Sequence, residues 1–103
     1  MEENEVMDEN EVQMAEAFKE LCLALARTNN PDLIADFMKS LLTPTEFKGV
    51  SSRWALVREI DAGTTQREIA RKLGLSLCKI TRGSRELKKP DSPFKKMIDI
   101  SQE

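Results

Sequence analysis

Apolar residues recur at steps of three and four along most of the chain, the spacing that places side chains on one face of an α-helix. The first such stripe starts at Glu11 and is interrupted by Asn29-Asn30-Pro31; two more follow, over 31–41 and over 44–62. The apolar positions of the three stripes are Val12, Ala15, Phe18, Leu21, Cys22, Leu25, Leu33, Ile34, Phe37, Met38, Leu41, Phe47, Val50, Trp54, Val57 and Ile60. Because no run of alternating β-branched residues competes with them, the pattern predicts an all-α protein.

Capping residues mark where the predicted helices begin. Thr43 is followed by Pro44 and, three positions on, by Glu46, which is the pattern of a capping box with proline in the first turn. Thr65 and Glu68 have the same spacing and predict a second capping box. Six helices are predicted on these grounds: 11–28, 31–41, 44–62, 66–73, 77–88 and 93–100.

The net charge of −2 conceals an uneven distribution along the chain. Residues 1–20 contain eight acidic side chains and one lysine, and we expect 1–10 to form a disordered acidic arm. Residues 53–96 contain twelve Lys or Arg against five acidic side chains, a balance that suits the phosphate backbone of nucleic acid. Since a run of charge can also simply keep a helix face in water, this distribution alone leaves both interpretations open.

The composition argues against catalytic and metal sites. The chain has no histidine, which removes the commonest general base, and Cys22 and Cys78 are too few to hold zinc. It also has no glycine-rich phosphate loop and no nucleophile elbow. We therefore expect no enzymatic activity, no metal and no cofactor. The acidic N-terminus and the short apolar stretches predict a cytoplasmic protein without a membrane partner, with both thiols reduced.

The segment from Thr65 to Leu87 has the pattern of a helix-turn-helix, in which two short helices cross at roughly 90–120°. The small side chain of Ala70 lets the helices approach, and Gly74 can adopt the left-handed backbone that the turn needs. The apolar residues expected to fill the angle between the helices are Ile69, Leu73, Leu75 and Ile80. The alternative is an ordinary helical corner in a packed bundle.

When such a motif binds DNA, the N-terminal part of its second helix enters the major groove of the duplex. There Lys79 can donate to guanine, and Leu77 or Cys78 can touch a thymine methyl group. Residues at the start of the first helix would lie near phosphates. The residues predicted to contact DNA are Gln66, Arg67, Ser76, Leu77, Cys78, Lys79 and Thr81.

Three sequence stretches and one arginine point beyond a general helix-turn-helix. They are LLTPTEF at 41–47, Arg53, QREIARKLG at 66–74 and ITRGSREL at 80–87. With them the chain resembles the tryptophan (Trp) repressor family over residues 12–100. The resemblance implies a six-helix fold in an intertwined homodimer, which binds L-tryptophan as corepressor and then binds double-stranded operator DNA of tryptophan biosynthesis or uptake genes. The parts it implies are a dimerisation core over 11–62, a DNA-binding head over 63–89 and a C-terminal helix over 90–103 that closes the core.

The same resemblance implies an L-tryptophan site whose chemistry the residues can supply. A guanidinium forms forked hydrogen bonds to a carboxylate, which suits Arg82 beside the Gly83 backbone, and Arg53 and Arg82 could sandwich an indole. Carbonyl groups at the end of the second helix can accept from an ammonium. The predicted ligand-binding residues are Ser40, Leu42, Thr43, Arg53, Arg82, Gly83 and Glu86. Arg53 could instead form a surface ion pair, and Thr43 could serve only as a cap.

The chain departs from the family pattern at three places. Glu86 stands where the pattern has a serine, and we expect its carboxylate to favour ligands that carry an ammonium over indole acids that lack one. The link over 63–65 is one residue shorter than usual. Cys78 and Lys79 occupy base-facing positions with larger or more polar side chains, so the operator sequence does not transfer.

Two other functions remain compatible with these features. The first is a helix-turn-helix DNA-binding module without a small-molecule effector, which would need residues 66–88 but no pocket. The second is a helical adaptor that presents its basic face to an acidic protein partner. The joint presence of Thr43-Pro44, Arg53 and Arg82-Gly83 favours the ligand-dependent repressor over the effector-free module, and a steep weakening of duplex binding with salt would favour either DNA-binding function over the adaptor.

Overall fold

The computed structural model describes residues 8–103, which form six α-helices and no strand. This confirms the all-α, six-helix prediction. The helices are α1 (Glu9–Ala26), α2 (Pro31–Leu41), α3 (Pro44–Asp61), α4 (Gln66–Leu73), α5 (Leu77–Lys88) and α6 (Pro93–Ser101). All predicted bounds lie within two residues of these.

Helix α1 begins at Glu9, two residues before the predicted start at Glu11 and within the segment that was expected to be disordered. Asp8 forms a capping box with Glu11: its carboxylate accepts from the Glu11 N–H at 2.8 Å, and the Glu11 carboxylate accepts from the Asp8 N–H at 3.1 Å. The prediction of disorder is therefore wrong for Glu9 and Asn10, because carboxylates near a helix N-terminus stabilise the first turn. Its other part, residues 1–7, lies outside the described residues.

Of the two predicted capping boxes, one is complete and one is half formed. The Thr43 hydroxyl accepts from the Glu46 N–H at 3.1 Å, and the Glu46 carboxylate accepts from the Thr43 N–H at 2.9 Å. The Thr65 hydroxyl accepts from the Glu68 N–H at 3.2 Å, but the Glu68 carboxylate pairs with Arg71 instead of returning to the cap. Arg71 engages both oxygens of this carboxylate, through Nε and Nη2, a two-point contact between charged groups that a single backbone N–H does not offer.

The chain divides into two compact units, one ending at Leu41 and one spanning Leu42–Glu103. In the first unit, neither α1 nor α2 contains a buried residue. The sequence predicted a boundary between the dimerisation core and the DNA-binding head at residues 62 and 63. Within a single chain the boundary between compact units lies elsewhere, because α3 packs with α4, α5 and α6. The predicted dimerisation core over 11–62 would form between two copies of the chain, so it stays a prediction.

The second unit is built around a small apolar core. Leu56 of α3, Ile69 of α4 and Ile80 of α5 are buried against one another, with Ile60, Ala70, Leu73 and Leu75 packed around them. All four apolar residues predicted to fill the angle between α4 and α5 belong to this set, which confirms that prediction. This packing fixes α4 and α5 on α3. The side chains that hold the two helices in place therefore lie away from the helix faces that are exposed to solvent.

Gly83 of α5 lies directly against side chains of α3. A Cβ atom at this position would lie 2.8 Å from Cδ2 and 3.1 Å from Cγ of Leu56, and 3.5 Å from Cδ1 of Ile60. Leu56 is only 4% exposed and packs in the apolar core. A side chain at position 83 would therefore force the end of the Leu56 side chain to shift.

We expect Gly83→Ala to destabilise the protein by overpacking, and Gly49→Ala provides its matched control. Both glycines lie inside helices, so both substitutions gain the same intrinsic helix propensity, but a Cβ at Gly49 meets nothing within 4 Å. The free energy of unfolding, measured in urea, should be lower for Gly83→Ala than for Gly49→Ala by about 1–3 kcal/mol. Equal values would show that α5 can move off α3 at no cost.

Candidate functional site

The turn between α4 and α5 has the geometry that its sequence predicts. Gly74 ends α4 with a left-handed backbone (φ 65°), and its N–H donates to the Ala70 carbonyl at 2.9 Å. Ser76 then caps α5, its hydroxyl accepting from the Lys79 N–H at 3.3 Å. The three residues from Gly74 to Ser76 thus join the two helices, and the Ser76 cap satisfies one of the backbone amides that the start of α5 leaves without an intrahelical partner.

The residues predicted to contact DNA are all accessible to solvent. All seven are solvent-exposed, whereas Ile69 and Ile80, which lie among them in sequence, are completely buried. Leu77, at the first position of α5, is 59% exposed although it is a large apolar side chain. An apolar side chain standing in water at a helix N-terminus is available to a partner surface.

A polar cluster holds α4 against α3 on the other side of the core. The Glu59 carboxylate of α3 accepts from Lys72 Nζ of α4 at 2.8 Å and from the Thr64 hydroxyl at 2.7 Å. The hydrogen bonds from Lys72 and Thr64 hold the pKa of Glu59 below its ordinary value. Lys95 of α6 forms a comparable pair with Asp61 at 2.9 Å. Helices on both sides of α3 are therefore joined to it by ion pairs.

A cavity of about 370 Å³ opens between α3, α5 and the start of α6. This volume lies in the range of small-molecule sites. Its apolar walls are Leu56, Val57, Leu75 and Phe94. Its ionic side chains are Arg53, Lys79, Arg82 and Glu86, three cations and one carboxylate. The cavity thus offers an apolar surface next to groups that can hold an anion.

One face of α5 supplies four of the lining residues. Lys79, Arg82, Gly83 and Glu86 follow one another at intervals of three, one and three, which places them in one row along the helix. Arg82 and Glu86 are four residues apart and so are neighbours on this face. Because Gly83 lacks a side chain, the cavity is bounded there by backbone.

Four of the seven predicted ligand-binding residues line this cavity: Arg53, Arg82, Gly83 and Glu86. Leu42 and Thr43 belong to the same unit but are not among the lining residues; Thr43 caps α3, as its alternative role predicted. Ser40 lies in the other unit, where its hydroxyl donates to the Asp36 carbonyl at 3.0 Å. A ligand role for these three positions stays a prediction.

The other seven lining residues were not predicted at this site, and two of them, Lys79 and Phe94, show why. Lys79 was assigned to DNA alone, yet its position three residues before Arg82 already placed both on one helix face. Phe94 follows Pro93 at the start of α6, and the sequence of the turn before it contains no signal that directs α6 toward the cavity. Only the path of residues 89–92 in three dimensions brings this ring to the wall.

Across residues 8–103, no three Cys, Asp or Glu side chains gather in a way that could hold a metal ion. The same residues contain no helix long and apolar enough to cross a membrane. Both cysteines are exposed and unpaired in this part of the chain.

Comparison with known proteins identifies relatives along almost the whole chain. A family model described as Trp repressor protein matches residues 16–102. A Trp operon repressor homolog of Chlamydia caviae is 40% identical over 82 residues, which cover 79% of this chain and 78% of the relative. Homologs of the same name in Chlamydia trachomatis serovar D and Xylella fastidiosa strain M23 are 38% identical (81% of this chain, 86% of the relative) and 34% identical (70% and 79%). No solved structure matches the chain.

We expect Glu59→Gln to lower the free energy of unfolding at neutral pH, because it removes the charge that Lys72 and Thr64 stabilise. A carboxylate whose pKa is depressed in the folded state stabilises the fold above its unfolded-state pKa, and this contribution is lost as the pH falls through the folded-state value. The difference from the wild type should therefore be greatest at pH 7 and shrink below about pH 4.3, the ordinary pKa of glutamate.

The matched control for this measurement is Glu20→Gln, the same change at an exposed position of α1. Denaturant unfolding across the pH range should show no comparable pH-dependent difference for the control. A Glu59→Gln difference that is constant with pH would contradict the electrostatic role of the cluster.

Proposed function

The chain belongs to the Trp repressor family, and on this premise we propose that it is an L-tryptophan-dependent repressor that binds operator DNA of tryptophan biosynthesis or uptake genes. Members of this family are regulators of transcription, so the chain is a regulator and not an enzyme. Its place of action would be the cytoplasm, where operator DNA and free tryptophan meet.

One observation carries the proposal: α5 forms a wall of the cavity and also carries the exposed residues at its N-terminal end. Leu77, Cys78 and Lys79 occupy the first turn of α5, and Arg82 and Glu86 lie one and two turns further on. A ligand bound against Arg82 therefore touches the same rigid element that would enter the major groove. No long communication path is needed between the two sites.

The chemistry of the cavity suits a free aromatic amino acid. Arg53 and Arg82 supply guanidinium groups for a carboxylate and planar surfaces for an indole ring. Leu56, Val57 and Phe94 supply an apolar surface. The ligand would act by favouring the position of α5 that fits the groove, so ligand and DNA would each strengthen the binding of the other by the same factor.

A homodimer is part of this proposal, and the exposed apolar side chains of the first unit support it. Met14 and Phe18 of α1 are 64% and 66% exposed, and α2 presents Leu33, Phe37 and Leu41 at four-residue intervals. Burying such a side chain contributes roughly 1.5–3 kcal/mol relative to leaving it in water. Two helices with apolar stripes and no buried residue therefore need a cover, which a second copy of the chain would provide.

The test of the function is duplex binding with and without L-tryptophan. A random duplex library, selected with the protein in excess L-tryptophan, supplies the probe, and fluorescence anisotropy gives its affinity. We expect L-tryptophan to tighten binding by about 5- to 150-fold, the usual range of coupling between two sites. Equal affinity in both conditions would exclude the corepressor role and leave the effector-free DNA-binding module.

The salt dependence of duplex binding and the variant Arg67→Ala distinguish a DNA-binding protein from an adaptor that binds an acidic protein. The logarithm of the binding constant should fall linearly with the logarithm of the salt concentration. Arg67→Ala should weaken binding and reduce this slope by about 1, while L-tryptophan affinity stays unchanged because Arg67 does not line the cavity. Lys19→Gln, which removes a positive charge from the first unit, is the control and should change neither. The absence of any salt dependence would favour the adaptor.

We expect the protein to sediment as a dimer of the 11.7 kDa chain, and Phe18→Asp to weaken or abolish that dimer. Phe18 is the most exposed large apolar side chain of α1, so a carboxylate there would be buried without a partner in the interface. Lys19→Gln changes the net charge by the same amount at the next position and should leave the dimer intact. A wild-type protein that sediments as a monomer at micromolar concentration would contradict the proposal.

A further inference from the structure

One carboxylate of α3, that of Glu59, binds the chain on both sides of the start of α4. It accepts from the hydroxyl of Thr64, which precedes the helix, at 2.7 Å, and from Nζ of Lys72, in the last turn of the helix, at 2.8 Å. The Glu59 side chain is only 25% exposed, so water screens these contacts less than it screens a pair on an open surface. A single side chain therefore restrains α4 at both ends.

The backbone of the link between α3 and α4 is attached to the end of α3 as well. The Thr64 N–H donates to the Glu59 carbonyl at 3.0 Å, and Gly63, in a left-handed conformation (φ 88°), donates to the Ile60 carbonyl at 3.0 Å. Thr65, the next residue, caps α4. The link is also one residue shorter than the family pattern, so it has little slack with which α4 could turn on α3.

The helix restrained in this way carries residues that are predicted to contact DNA. Gln66 and Arg67 are the first two residues of α4, and both are exposed. Ile69, one turn further on, is buried together with Ile80 of α5, so a rotation of α4 on α3 would move α5 with it. The residues that hold α4 do not line the cavity, and they leave the direct contacts of a ligand unaffected.

We propose that Glu59 is a positioning residue for DNA binding, which holds α4 and α5 on α3 in the orientation that meets the duplex before any ligand is bound. The proposal rests on the DNA-binding function proposed above and adds the contact that sets how strongly this function depends on the ligand. A pair of helices held in place loses less freedom on binding, which strengthens binding. Where the helices are already positioned, the ligand has a smaller population shift to produce.

The charge of Glu59 and its positioning role have opposite effects on DNA affinity. A carboxylate next to the basic helix α4 repels phosphates and neutralises Lys72, so its removal would tighten duplex binding if charge were all that mattered. Removal of a positioning group would weaken binding. Thr64→Val removes one of the two side-chain contacts of Glu59 and leaves every charge in place, so its effect on affinity reports positioning alone.

The test is binding of the duplex selected above to the full-length protein and its variants, with and without L-tryptophan. Without L-tryptophan, Thr64→Val should weaken binding by about 2- to 10-fold, the effect of losing one hydrogen bond. Glu59→Gln should weaken it too, in spite of the charge it removes. With saturating L-tryptophan both losses should shrink, so the ligand should tighten binding by a larger factor in the variants than in the wild type.

Each variant has a matched control. Thr64→Ser keeps the hydroxyl and should bind as the wild type does. Glu103→Gln removes the same charge as Glu59→Gln from an exposed residue of the same unit and should not weaken binding. Titration at high duplex concentration gives the fraction of active protein in each sample, so that partial unfolding of a variant is not mistaken for weaker binding.

Three results would overturn the positioning role: wild-type affinity in Thr64→Val, tighter binding by Glu59→Gln, or losses of the same size with and without L-tryptophan. If L-tryptophan leaves the wild-type affinity unchanged while Thr64→Val and Glu59→Gln still bind more weakly, the corepressor function fails and the positioning of α4 for DNA stands. A wild-type protein that binds no duplex would overturn both.

Discussion

The close contact between α5 and α3 at Gly83 is the constraint on which the rest of the second unit depends. With only backbone at this position, α5 lies against Leu56 and Ile60, and the cavity forms beside that contact rather than being filled by it. The same contact brings Arg82 to the cavity wall with Arg53 of α3. A wider separation would disturb both the apolar core and the arrangement of charges, because Ile80 of the core and Arg82 of the cavity lie on the same short helix.

The different environments of the α5 side chains follow from the periodicity of the helix. Ile80 faces the core, Lys79, Arg82 and Glu86 face the cavity, and Leu77 and Cys78 remain in water. The twelve residues of α5 thus contribute to three surfaces. Ion pairs at Glu59 and Asp61 support this arrangement from outside the core, where they fix α4 and α6 to α3 without occupying the cavity.

The helices could be predicted from the sequence almost to the residue, because each begins or ends at a local signal. Thr43, Ser76 and Gly74 act within one turn of their own position, so no tertiary information is needed to interpret them. The same reasoning failed at Glu68, where a neighbouring arginine competes for the carboxylate. Within the cavity, Arg53 of α3 and Arg82, Gly83 and Glu86 of α5 could be predicted from the family pattern, but Phe94 could not. Its place depends on how a loop directs α6, and loop paths are set by packing rather than by composition.

The absence of buried side chains from α1 and α2 has a consequence for the life of the protein in a cell. Helices whose side chains all stay at least partly exposed gain little to offset the backbone entropy lost on ordering, so in an isolated chain they open readily, exchange their amide protons fast and offer cleavage sites to proteases. Association that covers them would protect the chain in proportion to its own concentration. Newly made chains would then be degraded while scarce and spared once abundant, which sharpens the threshold at which the regulator accumulates.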